Sequence, residues 1–137
     1  MCCVEVSASE YARAVVALGD SITDGTMSTP STNSRWPNFL AARLLNHFSH
    51  RDVAVLDQGI GGHAVLHEFL GPNALARFDR DVIAQTAVRY IILLERINEL
   101  VYSTQIQKAL APVTLYWPTS SLSSEHMRRR LKYSAEH

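Results

Sequence analysis

A serine stands where an apolar stretch runs out into a tight turn: Val15-Val16-Ala17-Leu18-Gly19-Asp20-Ser21-Ile22-Thr23-Asp24-Gly25. Gly19 allows the turn, and a hydroxyl at Ser21 is displayed near backbone N–H groups that no preceding turn of helix satisfies. Two later segments supply matching partners. Gly59-Ile60-Gly61-Gly62 lacks side chains where backbone N–H groups would approach a ligand oxygen, and Asn98 carries an amide that can donate into the same crevice. A nucleophilic hydroxyl beside three hydrogen-bond donors is the equipment of acyl transfer, in which charge develops on a tetrahedral intermediate.

The base that such a serine needs is harder to find. None of the six histidines has an Asp or Glu three residues before it. His63, next to Gly62, is the candidate substitute base, and to act it must bring a ring nitrogen within about 3.2 Å of the Ser21 hydroxyl. The other reading of His63 is a loop histidine that is solvated or bonded to backbone. His67 beside Glu68 and His126 beside Glu125 form improvised pairs without the required spacing. His47 and His50 close a helical stretch and suit its carboxyl-terminal dipole better than a metal. No His, Asp and Glu cluster has ligand spacing, so neither a metal nor another cofactor is implied.

These groups need a scaffold that brings strand ends together. Ala14 to Leu18, Val53 to Leu56 and Tyr90 to Leu94 are short Val-, Ile- and Leu-rich runs, the pattern of parallel strands covered on both faces. They read as three central strands. Between the first two, Trp36, Phe39, Leu40, Leu44 and Phe48 recur at helical spacing, with Asn33 or Ser34 as N-cap and Pro37 in the first turn. Between the second and third, Leu75, Phe78, Val82 and Ile83 do the same. The alternation predicts a doubly wound, three-layer α/β/α fold of flavodoxin-like type with a parallel sheet, whose ligands bind beyond the carboxyl ends of the strands. A fourth strand is expected at Val113 to Tyr116, although Glu99 to Leu110 is barely long enough for a parallel crossover. A short helix from Ser124 to Tyr133, or a loose tail, follows.

Composition narrows the partners. A length of 137 residues with 47% apolar content supports one domain with a core, and thirteen basic residues balance thirteen acidic ones. Without an overall field, nucleic acid is a disfavoured partner, and Arg128-Arg129-Arg130 reads as a solvated face. Cys2 and Cys3 are adjacent and cannot staple distant segments. No apolar run approaches a membrane span and no export signal is visible, so the chain is expected to remain where it is made.

The ordered blocks resemble the SGNH, or GDSL-like, family of lipases, esterases and acylhydrolases, from about Arg13 to Asn98. Gly19-Asp20-Ser21-Ile22 is similar to the family's first block, Gly62 matches the glycine of the second, and Asn98 the asparagine of the third. Arg35-Trp36-Pro37, Asp57-Gln58-Gly59-Ile60-Gly61-Gly62 and Ala74-Leu75-Ala76-Arg77-Phe78-Asp79-Arg80-Asp81 look like a bacterial branch of carbohydrate esterases that are often exported. The resemblance implies that Ser21 is the nucleophile and one oxyanion donor, that Gly62 N–H and the Asn98 side chain are the others, and that Asp20 helps hold the turn. Three departures accompany it. Arg96 and Glu99 replace the usual Gly and Asp around Asn98; His63 follows the oxyanion glycine in place of a small polar residue; and the Asp-x-x-His block, which carries the base, is missing.

The expectation is therefore one domain over residues 1–137, family-like over 13–98 with a divergent tail at 99–137, and incomplete at the C-terminal edge of its sheet. Its function would be hydrolysis of short acyl esters, including acetylated sugars, through a Ser21 acyl-enzyme of reduced activity. The alternative is a catalytically inactive remnant or ligand-binding module on the same fold. An uncovered sheet edge would favour self-association.

Overall fold

The computed structural model describes residues 6–68, 70–95, 98 and 113–118. The sequence expectations for Cys2, Cys3, the Ser124 to Tyr133 helix and Arg128-Arg129-Arg130 lie outside these residues.

Three parallel strands form the base of the fold: β1 Arg13–Gly19, β2 Val53–Gly59 and β3 Val88–Glu95. Their register pairs Gly19 with both Gly59 and Leu94, so the three carboxyl ends finish level with one another. The ladder continues past these ends, because Ile60 N–H donates to Gly19 O at 3.0 Å and Asp20 N–H to Leu94 O at 3.3 Å. That alignment is what gathers Ser21, the Gly59–Gly62 segment and the end of β3 at one pole.

The sheet order is β2-β1-β3-β4. Only β1 and β3 are central, which corrects the expectation of three central strands: β2 is an outer strand, and Ala54 on it is exposed. The fourth strand, β4 Val113–Pro118, pairs antiparallel with β3. The sheet is parallel over β1, β2 and β3 as expected, and the fourth strand returns antiparallel, which needs no crossover helix. Because β4 covers the outer side of β3, the outer strands among the described residues are β2 and β4.

Helices lie on both faces of the sheet. Helix α1, Ser21–Asp24, follows β1 directly, and α2, Trp36–Asn46, packs on β2. The observed N-cap of α2 is Arg35, not Asn33 or Ser34: Asn38 Oδ1 accepts the Arg35 N–H at 3.2 Å, and Asn33 takes a left-handed φ of 53° incompatible with a helix entry there. Leu40 and Leu44 face Val15, Val53, Tyr90 and Ile92 across a cavity of about 180 Å³. Phe39 and Phe48, expected on the same stripe, are exposed, and Phe48 instead carries the Arg51 guanidinium 4.8 Å above its ring.

The opposite face is covered by the second crossover. Helix α3, Ala74–Phe78, passes into a π-helical turn over Asp79–Ile83. Phe78 and Val82 bury against Val16, Leu18, Ile91 and Leu93. Val82 stays inside, whereas Ile83, expected in the core, is exposed.

Candidate active site

Ser21 opens α1 at the end of β1, with Asp20 as the N-cap. Asp20 Oδ1 accepts the Ile22 N–H at 2.9 Å, which fixes the turn that presents Ser21. Asp20 is itself buried, and burial raises its carboxyl above the ordinary 3.8, opposed by the Ile22 N–H bond and by His63. Gly19 admits no side chain: a Cβ there would lie 2.0 Å from Thr23 Oγ1 and 2.7 Å from Leu94 O. The strand therefore approaches α1 and β3 more closely than any other residue allows.

The second block forms a turn after β2. His63 N–H donates to Ile60 O at 3.2 Å, and Gly62 sits at φ 72°, the left-handed position that glycine fills without strain. Asn98, at the far end of β3, sends one amide N–H to the His63 carbonyl at 2.5 Å. Asn98 is thus tied to the Gly62 turn, and its second amide N–H remains as a donor by its chemistry. Ser21, Gly62 and Asn98 all come from the carboxyl-terminal pole of the sheet.

Of the two alternatives for His63 as a loop histidine, the structure shows the one bonded to backbone: the residue is 1% exposed and its ring meets the Pro72 carbonyl oxygen. Its Nδ1 lies 3.1 Å from Glu95 Oε1, its Nε2 meets the Pro72 carbonyl oxygen, and the Arg77 Nε lies 3.2 Å from the same ring nitrogen. Both ring nitrogens thus face buried partners, and among the described residues neither is hydrogen-bonded to Ser21.

Arg77 organises that buried layer. Its guanidinium donates to Gly19 O at 3.1 Å, to Gln58 O at 2.8 Å and to Asp81 Oδ2 at 3.2 Å, and approaches Glu95 Oε1 to 3.5 Å. One side chain thereby ties the ends of β1, β2 and β3 together beneath the site. Glu95 Oε2 is buried and has no hydrogen-bond partner among the described residues. Burial pushes the Glu95 carboxyl above its usual value against the pull of His63 and Arg77, whereas Arg80 and Arg77 hold Asp81 below its usual value despite burial. Arg77 and Glu95 were missed as functional supports in the sequence. The available signal was a charge at the end of an otherwise apolar strand, and an arginine on the inward side of α3 beside Phe78.

A model of the GDSL-like lipase/acylhydrolase family matches residues 17–130, beyond the Asn98 limit of the motif resemblance. The chain belongs to that family. No curated protein matches the sequence. Among solved structures, AlinE4, a SGNH-hydrolase family esterase, is similar at 20% identity with a TM-score of 0.53, covering 69% of this chain and 45% of that one. LAE5, an alpha/beta hydrolase enzyme from the metagenome of Lake Arreo in Spain, gives 24% identity and a TM-score of 0.49 over 72% of this chain and 46% of that one. The AlinE4 likeness shows the fold, and the GDSL-like chain spans less than half the length of either structure. Among the described residues, no helix is long and apolar enough to cross a membrane, and no group of three His, Cys, Asp or Glu side chains is placed to hold a metal.

Proposed function

We propose that this GDSL-like domain hydrolyses short acyl esters, acetylated sugars among them, at Ser21. In this reading the Ser21 hydroxyl attacks the ester carbonyl. The Ser21 and Gly62 backbone N–H groups and the Asn98 amide receive the oxyanion. The ester C–O bond then breaks and the alcohol leaves with the proton given up by serine. Water hydrolyses the acyl-enzyme to the carboxylic acid and free Ser21. The observation that carries the reading is the level ending of β1, β2 and β3, which brings a capped serine, a left-handed glycine and an asparagine amide to one pole.

The same reading sets the rate. General-base assistance contributes about 10² to 10⁴-fold, and these 137 residues contain no Asp-x-x-His. With the His63 ring held by Glu95, Arg77 and Pro72, the chain on its own turns over slowly, below an enzyme with a complete triad by about that factor. The buried His63 ring also favours a second reading, a ligand-binding module that keeps the crevice without turnover.

Hydrolysis of p-nitrophenyl acetate by the chain, by Ser21→Ala and by Asn98→Ala across pH 5 to 9 separates the two. A slow rate lowered by both substitutions supports the esterase. Rates indistinguishable from buffer in all three proteins, with saturable ester binding, support the module.

A further inference from the structure

Gly61 and Gly62 are adjacent, yet they face different chemistry. The Cβ position of Gly61 lies 3.5 Å from Asp24 Oδ2 and 3.6 Å from Thr26 Oγ1, at the edge of a polar cleft that also includes Arg35 and Asn38. The Cβ position of Gly62 lies 2.4 Å from Leu70 Cδ1 and 3.1 Å from Leu70 Cγ. Leu70 therefore leans against the glycine while its side chain remains 77% exposed. Ile22, the neighbour of Ser21, is 50% exposed. A large apolar side chain left open at this pole has a use if something apolar is laid on it.

The loop that carries Leu70 is pinned at both ends. Ala74 N–H donates to Ala64 O at 3.0 Å, Asn73 Nδ2 donates to Leu66 O at 3.2 Å, and the His63 ring contacts the Pro72 carbonyl. Leu70 is thus held against Gly62 by backbone anchors and by the buried layer beneath. In the esterase reading the ester carbonyl lies at Gly62, so Leu70, packed on that glycine, and the polar groups beside Gly61 offer an apolar and a polar surface to its two substituents.

We propose that Leu70 is the acyl-chain determinant of this site, receiving acyl groups longer than acetyl on its exposed face while the hydroxylated alcohol lies toward Asp24, Thr26 and Arg35. The proposal rests on the esterase reading for the placement of the carbonyl. The sorting follows from polarity: an alkyl chain loses water against Leu70, whereas hydroxyl groups keep hydrogen-bond partners on the Asp24 side.

The test uses two readouts on the full 137-residue chain. Binding of acetyl, butyryl and hexanoyl p-nitroanilides is measured for Ser21→Ala and for Ser21→Ala with Leu70→Ala, so that no turnover is needed. Affinity is expected to rise along the series in the first protein, and the hexanoyl-to-acetyl gain to shrink by roughly 10-fold in the second, as expected when a few methylenes lose a partly exposed contact. Equal gains in both proteins overturn the proposal. So does a Leu70 dependence seen with N-hexylacetamide in place of the hexanoyl anilide, which would put the alcohol limb there. Failure of the esterase reading shows separately, as p-nitrophenyl butyrate hydrolysis unchanged by Ser21→Ala. Leu70 is exposed, so its truncation leaves the core untouched.

Discussion

Arg77→Leu removes a side chain that joins all three strand ends, and its cost can be worked from what is left behind. Gly19 O and Gln58 O lose charge-assisted donors, and the carboxylates of Asp81 and Glu95 lose a neighbouring cation in a buried layer. Deleting one member of a buried ion pair costs about 3–5 kcal/mol, and a buried acceptor left without its donor about 1–3 kcal/mol. These penalties overlap, so a total loss of about 3–5 kcal/mol is expected, a large share of the roughly 5–15 kcal/mol that holds a domain together. Urea unfolding followed by circular dichroism at pH 7 reads it as a fall in midpoint. Without the cation, the folded-state affinities of Glu95 and Asp81 for protons both rise, so the variant gains stability relative to the parent as pH falls from 7 toward 4.5. Adding Glu95→Gln should recover at least about 1 kcal/mol by removing the stranded charge. A loss under about 1 kcal/mol for Arg77→Leu, or a penalty that grows on acidification, would refute the clamp.

Other expectations follow from single contacts. Gly19→Ala drives a methyl group into Thr23 and the Leu94 carbonyl, so a loss of about 2 kcal/mol or more is expected in the same urea assay, and a neutral result would contradict the close approach. Asp20 has a raised folded-state pKa, so its contribution is greatest below the ordinary carboxylate range and is lost as pH rises through the folded value. Asp20→Asn keeps an oxygen for the Ile22 N–H, and its stability relative to the parent should improve from pH 3 to 7; a flat or opposite trend counts against burial as the cause. The outer strand β2 exposes Ala54, and sedimentation velocity should show self-association that Ala54→Lys weakens. A monomer at all concentrations would leave that edge without a partner.

The strands were legible because their apolar runs are short, β-branched and bounded by turn residues. Their order was not, since Val53 to Leu56 reads the same whether a strand is central or outer, and only pairing decides. In the second crossover, Phe78 and Val82 announced the buried face, but nothing local in Asp79-Arg80-Asp81 signals the π-helical turn or the exposure of Ile83. Ser21, Gly62 and Asn98 stood out because each follows an apolar strand-like run, in short blocks whose order resembles the family's. The layer beneath them was hidden for the opposite reason. His63, Arg77 and Glu95 come from three separate elements, and their meeting is a product of sheet register and helix placement that no local spacing records. That is why His63 reads as a candidate base or a loop histidine in sequence and is buried in the fold.

The central claim is that the Ser21 hydroxyl accepts the acyl group. Brief exposure of the chain to p-nitrophenyl acetate, followed by digestion and peptide mass spectrometry, tests it directly. The account predicts an acetyl group on the peptide containing Ser21, absent from the Ser21→Ala chain. Acetylation spread over other side chains, with Ser21 unmodified, would contradict it.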